Sequence, residues 1–262
     1  MLITLTTDFG TRDPYVGIMK GVIASIAPDA RVIDITHEIE PQNIMRAGLV
    51  IASLLDYFPA TTIHVAVVDP TVGSRRAPIA IQTDRTILIG PDNGLFTAAL
   101  QCEPRRAAVT LTNPAYHLHP TSRTFHGRDI FAPAAAHLAR GVPLHELGDP
   151  IKQLVTLDLP QPQLHADHIE ALVIDIDRFG NLITNLTQRD FDTWRRNTPI
   201  ALSLTINNEM IHGIHATYAD VSEGKLLAYF GSTSHLEIAV RNGSAAARLG
   251  ATTGTPVTIN RT

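Results

Sequence analysis

Ile3-Thr4-Leu5-Thr6-Thr7-Asp8-Phe9-Gly10-Thr11-Arg12-Asp13-Pro14-Tyr15-Val16-Gly17-Ile18-Met19 changes period halfway along, and that change decides the fold. Ile3 to Thr7 reads as a strand. Beyond Pro14, which suits a first helical turn, Val16, Met19, Val22, Ile23 and Ile26 recur at helical spacing, predicting a helix over 14–27. Working outward, Arg31 to Ile35 is a second strand, Arg46, Ala47, Val50, Ile51 and Leu54 mark a second helix, and Thr62 to Val68 is a third strand. Strand, helix, strand, helix, strand is the grammar of a mostly parallel sheet with crossover helices. Ile79 to Gln82 and Thr86 to Ile89 add a pair of strands, Ala107 to Leu111 another, and residues 127 to 140 a helix.

The text changes at residues 158–168, a Pro-rich polar stretch that reads as a linker between an α/β domain over 1–157 and a β-rich domain over 169–262. Strands are expected at Ala171 to Ile176, Leu182 to Asn185, Ile200 to Ile206, Leu226 to Phe230, Leu236 to Val240 and Val257 to Ile259, with Asn-Asn, Glu-Gly and Asn-Gly turns between them. These predict a smaller all-β domain, a barrel or a sandwich.

Composition excludes several classes. Hydrophobic residues are 44% and charged residues 18% of 262, which is the balance of a globular protein. A net charge of −4 gives no reason to expect nucleic acid or an anionic membrane as partner. No run approaches the roughly 20 apolar residues of a membrane span. The opening residues lack a basic region before an apolar one, so no signal peptide is expected. One cysteine, Cys102, allows no internal disulfide or Cys-rich zinc site and points to the cytoplasm.

Ligands of open α/β sheets lie beyond the carboxyl ends of the strands. Asp8 and Asp69 each follow an apolar strand directly; Asp92, in Gly90-Pro91-Asp92-Asn93-Gly94, reads more as a turn residue. Arg75 and Arg76 close a loop that begins at Asp69, and His126 stands just before a predicted helix. An Asp, an Arg and a His brought together would hold water, orient it and take its proton, an imidazole being suited to such work near neutrality. His117 and His119 alternate on an extended segment without nearby carboxylates and read as surface histidines. There is no dinucleotide-binding glycine motif, Walker A loop, nucleophile elbow or His-Glu-x-x-His. In Asp177-Arg178-Phe179-Gly180-Asn181, an aromatic face and an amide sit at a turn. That is either a simple β-hairpin or a purine-reading pair, the amide both donating and accepting.

Taken in order, Thr-Thr-Asp8-Phe-Gly, Val-Val-Asp69-Pro-Thr-Val-Gly-Ser-Arg-Arg76, Gly-Pro-Asp92-Asn-Gly, Thr-Phe-His126-Gly-Arg-Asp and Asp177-Arg-Phe-Gly-Asn181-Leu-Ile-Thr-Asn resemble the SAM hydroxide adenosyltransferases, relatives of the SAM-dependent fluorinase and chlorinase. The resemblance implies hydrolysis of S-adenosyl-L-methionine (SAM) to adenosine and L-methionine, without metal or cofactor, in a homotrimer whose sites lie between subunits. It implies a water-activating triad of Asp69, His126 and one arginine, Arg76 by ungapped spacing or Arg75 with one deletion. Asp8 matches the acid that accepts the ribose hydroxyls, Asp177 the acid that meets the methionine ammonium, and Phe179 and Asn181 positions near adenine. Ser232 and the backbone at Asn242 are further substrate-binding matches. Halogenases of this superfamily carry an aromatic residue where Asp69 stands, a hydroxyl residue near Val72, and serine or glycine where Gly127 stands. A carboxylate and a valine favour water, because a fixed negative charge repels a bare anion and valine donates no hydrogen bond. Thr71 departs from the glycine usual in the hydrolases. The alternatives are a SAM- or adenosine-binding sensor without turnover, and a metal-dependent nucleotide hydrolase built on Asp8, Asp69, Asp92 and histidines.

Overall fold

A computed structural model describes residues 1–196 and 201–262. The chain forms two compact units, Met1–Leu159 and Pro160–Thr262. The first contains β1 (Leu2–Thr7), α1 (Tyr15–Ile26), β2 (Arg31–Thr36), α2 (Ile44–Leu54), β3 (Ile63–Val67), β4 (Pro78–Thr83), β5 (Ile87–Pro91), α3 (Thr97–Cys102), β6 (Arg105–Thr110) and α4 (Ala132–Ala139). The strands make one sheet in the order β2-β1-β3-β5-β4-β6. β1 pairs in parallel with β2 and β3, and β3 with β5; the β4 pairings are antiparallel, so β4 alone runs against the rest.

Both faces of this sheet are covered. On one, Ile3 and Leu5 of β1 and Val65 and Val67 of β3 pack with Val16, Met19 and Ile23 of α1 and with α4. On the other, Ala47, Ile51 and Leu54 of α2 meet Ala66, Val68, Ile81 and Leu88. Met19, Ile23 and Ile51 are wholly buried, each contributing about 1.5–3 kcal/mol. Buried polar pairs interrupt the apolar layers, among them Thr4 Oγ1 with His64 Nδ1 at 2.8 Å and Thr7 Oγ1 with His37 Nδ1 at 2.9 Å.

The predicted helix over 127–140 begins differently. Gly127–Phe131 is a π-helical turn, and only Ala132–Ala139 is α-helical. The buried Asp129 carboxylate anchors the wider turn by accepting from Ser122 N at 2.7 Å and from Arg128 Nε at 2.6 Å. Periodicity does not register the one extra residue per turn.

The second unit holds β7 (Gln163–Leu164), β8 (His168–Ile176), β9 (Leu182–Thr187), α5 (Gln188–Arg195), β10 (Leu202–Ile206), β11 (Glu209–His212), β12 (Leu226–Phe230), β13 (His235–Val240), α6 (Ala245–Leu249) and β14 (Pro256–Arg261). Its path β11-β10-β14-β8-β9-β13-β12 is antiparallel throughout, with β7 beside β8. Past β11, His215 bridges to Tyr229 of β12, which nearly closes a barrel around Val173, Leu204, Ile238 and Ile259. The stretch read as a linker thus contains a short strand, held because Gln163 and Leu164 pair with Glu170 and Ile169. Ile200, the expected start of the third strand of this unit, lies outside the described residues; the strand they show there is β10.

Candidate active site

Parallel pairing puts Thr7 of β1 opposite Val67 of β3, so Asp8 and Asp69 leave neighbouring strands at the same end of the sheet. After Asp69 the chain coils tightly, with Val72 N donating to Asp69 O and Ser74 N to Thr71 O. Gly73 sits at φ +78°, and a Cβ there would come within 2.7 Å of Arg123 O. Only glycine combines that backbone angle with so close an approach. The loop is thereby seated on the segment that leads to His126.

The result is a three-residue cluster clasped by one guanidinium. Arg76 Nε donates to Asp69 Oδ1 and Oδ2 at 3.0 and 2.9 Å, and Arg76 Nη2 also donates to Oδ2. The same Nη2 donates to His126 Nδ1 at 2.8 Å. The side chains of Arg76 and Asp69 are only 6% and 5% exposed, so the pair is shielded from competing water. Arg76 lies 5.4 Å from the Phe131 ring centroid. Its Nη1 is buried and takes no partner among the described residues. Arg75 is exposed and joins none of these contacts.

This geometry determines the tautomer of His126. A guanidinium donates and cannot accept, so Nδ1 is bare and the neutral ring carries its proton on Nε2. Burial lowers the His126 pKa, and the charge of Arg76 lowers it further, against the opposing influence of Asp69 and Asp129. The ring is therefore neutral near pH 7. Thr71, the residue that departs from glycine, donates from Oγ1 to Asp69 Oδ1 at 3.3 Å, adding a weak contact to the same carboxylate.

The other predicted residues fall into separate settings. Asp8 accepts from Gln42 N through Oδ2 at 2.9 Å, and Phe9 beside it meets Phe125 edge-on at 6.0 Å. Asp92 Oδ1 accepts from Val155 N at 2.9 Å, its burial raising its pKa against the effect of that hydrogen bond, and it shares nothing with the cluster. It borders a cleft of about 340 Å³ lined largely by apolar residues, including Ile79, Phe96 and Leu154. That cleft includes none of Asp69, Arg76 and His126. His117 and His119 direct Nε2 to the carbonyls of Leu111 and Pro114; His117 is half-buried rather than on the surface.

In the second unit, Asp177–Asn181 is the turn of the β8–β9 hairpin. Asp177 Oδ1 accepts from Phe179 N and Asn181 N at 2.9 and 2.8 Å. Phe179 is 77% exposed at the tip. Asn181 Nδ2 donates to Asp177 Oδ2 at 2.8 Å and to Tyr218 Oη at 3.2 Å. Both amide hydrogens are thus used within this unit, and Oδ1 is the acceptor left over. Ser232 is exposed in the β12–β13 turn, and Asn242 Nδ2 donates to Glu223 at 3.1 Å. Sequence reasoning missed Tyr218, Tyr229 and Glu237, because Tyr229 and Glu237 stand in strands that read as ordinary core.

Among the described residues, His165, His168 and Glu170 bring possible metal-ligating atoms within 4.8 Å of one another. The two rings stack at 4.4 Å and 13°, so their in-plane lone pairs run side by side instead of converging. None of the acids at the strand ends belongs to this group. No helix among the described residues is long and apolar enough to cross a membrane.

A sheet-borne carboxylate, guanidinium and imidazole gathered around one point, in an α/β unit followed by a β-barrel-like unit, define a class. Residues 3–148 match the model of the SAM hydroxide adenosyltransferase N-terminal domain and residues 171–258 that of the C-terminal domain. The chain belongs to the SAM hydroxide adenosyltransferase family. It is 40% identical over 255 residues to the (R)-S-adenosyl-L-methionine hydrolase of Salinispora tropica, covering 96% of this chain and 95% of that one. It is 39% identical over 260 residues to the enzyme of the same name from Thermus thermophilus, with 96% of each covered. A fluorinase of Nocardia brasiliensis is 26% identical over 268 residues, covering 91% of this chain and 89% of the fluorinase. The solved structure of an uncharacterized conserved protein from Thermotoga maritima superposes with a TM-score of 0.93 at 34% identity, each chain covered completely.

Proposed function

We propose that this chain hydrolyses SAM to adenosine and L-methionine by in-line attack of water at the ribose C5′ carbon, with Asp69, Arg76 and His126 as the water-handling residues. The observation that carries the reading is the single buried guanidinium clasping both Asp69 and His126. The C5′–sulfur bond breaks with its electron pair going to sulfur, so the sulfonium leaves as a neutral thioether and needs no acid. The attacking water becomes a protonated alcohol, far more acidic than water, so a carboxylate can take its proton. Asp69 is that acceptor: its oxygens retain lone pairs, whereas both ring nitrogens of His126 are occupied, one by Arg76 and one by its own proton. His126 Nε2–H and Arg76 Nη1–H are donors that can orient the water oxygen, and positioning supplies much of the acceleration.

Asp8 would accept the ribose hydroxyls, Asp177 the methionine ammonium, and Phe179, Asn181, Ser232 and the backbone at Asn242 would complete substrate binding. The reaction as written needs no metal or cofactor. A homotrimer in the cytoplasm is the accompanying expectation, drawn from the family resemblance and from the single cysteine.

The test is incubation of purified protein with SAM in excess chelator, following adenosine and methionine by chromatography. Equal appearance of both products, lost in Asp69→Asn and Arg76→Met, is the expected result. Binding of SAM without product over hours would overturn the reading in favour of a sensor, and activity abolished by chelator would overturn the metal-free mechanism.

A further inference from the structure

Behind the Asp177–Asn181 turn runs a line of polar groups with no part in the chemistry above. Asn181 Nδ2 donates to Tyr218 Oη at 3.2 Å. The hydroxyls of Tyr218 and Tyr229 are hydrogen-bonded, and Tyr229 Oη donates to Glu237 Oε2. Tyr229 is 6% and Glu237 8% exposed. A carboxylate this buried costs stability unless it is hydrogen-bonded. Burial and the charge of Asp177 raise the Glu237 pKa, while the Tyr229 hydrogen bond opposes the rise.

The line has one direction. Glu237 accepts from Tyr229, so the Tyr229 oxygen must accept from Tyr218, and the Tyr218 oxygen accepts from Asn181. Each link fixes the next, and the second amide hydrogen of Asn181 is held by Asp177. Asn181 Oδ1, the acceptor left over, takes no hydrogen bond from the described residues. The carboxylate also seats the neighbouring turn: a Cβ on Gly231 would overlap Glu237 Oε1 at 1.8 Å, and Gly231 immediately precedes Ser232. One buried acid thus underlies both hairpin tips that carry candidate substrate residues.

We infer that Tyr218, Tyr229 and Glu237 are positioning residues that lock Asn181 as an acceptor only, so that the site demands a base with an exocyclic amino group and rejects one with an oxo group in its place. This rests on the proposed reaction, in which Asn181 lies at the adenine. The chain acts on recognition and not on the breaking bond. Cutting it should therefore raise KM and leave kcat little changed.

The experiment compares SAM with its deaminated 6-oxo analogue in turnover, and adenosine with inosine by calorimetry, in the parent protein and in Tyr218→Phe, Tyr229→Phe and Glu237→Gln. Tyr218 is 41% exposed, so its variant tests the chain without disturbing the barrel interior. The parent should prefer the amino form by at least about 100-fold, as sites built around a hydrogen bond do. Tyr218→Phe and Tyr229→Phe should raise KM for SAM about tenfold with kcat within about threefold, and narrow the preference by about tenfold, the scale of one lost hydrogen bond. Glu237→Gln, whose amide oxygen still accepts from Tyr229, should retain the preference. Equal use of amino and oxo substrates by the parent would overturn the inference while leaving SAM hydrolysis standing. Unchanged KM and preference in both Phe variants, or a fall in kcat alone, would overturn the positioning role. Adenosine binding preferred over inosine in a protein without turnover would refute the proposed reaction yet support the locked acceptor, and absence of both SAM turnover and nucleoside binding would overturn both.

Discussion

Replacing His126 by asparagine separates two roles that an alanine variant would merge. In the structure His126 Nδ1 accepts from Arg76 Nη2 at 2.8 Å, and an asparagine Oδ1 can occupy nearly the same place relative to the backbone. The arrangement of Arg76 and Asp69 then survives, while the ring and its basicity are gone. If His126 is a neutral donor that helps to hold water, the loss is one hydrogen bond, about 0.5–1.5 kcal/mol, or roughly two- to twelvefold in kcat/KM. If His126 removes the proton, the loss is that of a general base, about 100- to 10,000-fold. Initial rates of adenosine formation from pH 5.5 to 9 distinguish the two cases. The expected outcome is a fall of about tenfold, with whatever acid limb the parent enzyme shows retained, because Asp69 is still present. A fall beyond about 100-fold together with disappearance of that limb would refute both the tautomer argument and the assignment of Asp69 as acceptor.

Two further outcomes follow from the surrounding structure. Gly73→Ala places a Cβ within 2.7 Å of Arg123 O at a φ of +78°; we expect a cost of about 1–2 kcal/mol and a loss of about 100-fold in turnover as Arg76 is displaced, and parent-like rates would show that the loop is not seated as described. His64 is wholly buried and its pKa is lowered by burial from 6.5 to about 4, so its neutral form stabilises the fold in full above about pH 6.5 and that stability is lost as pH falls towards 4; at 1.36 kcal/mol per unit the loss by pH 4 is roughly 3 kcal/mol. Denaturant unfolding at pH 7.5, 5 and 4 should show that slope, and the same slope in His64→Gln would exclude His64 as its source.

The first unit was readable because its strands end where their apolar runs end. Val67-Val68 gives way to Asp69, and Leu5-Thr6-Thr7 to Asp8, so the acids announce themselves at strand ends. Which arginine turns inward was not readable. That depends on two successive turns and on the positive φ of Gly73, none of which has a periodic signature. In the second unit, α5 and α6 are too short for a clear helical period, and β11 follows β10 after only Asn207-Asn208. Both readings of the Asp177–Asn181 stretch were open from sequence. The structure forms the hairpin and still leaves an acceptor and an exposed ring at its tip. The Tyr218–Tyr229–Glu237 chain was hidden because alternation along a strand marks which residues face inward, not which of them find one another there.

In the proposed reaction, the clasp of Arg76 on Asp69 and His126 would also set the net charge that an incoming nucleophile meets. One negative, one positive and one uncharged group leave the cluster electroneutral, and the positive charge is already matched at close range. A halide approaching it would be neither driven off by a bare carboxylate nor drawn in by a free guanidinium. It would have to leave bulk water for two N–H donors and no unmatched positive charge, a penalty that a small dipole such as water largely escapes. In the proposed reaction, discrimination between hydroxylation and halogenation would therefore come from indifference rather than repulsion: a matched ion pair offers an anion no counter-charge, yet still offers water a donor and an acceptor.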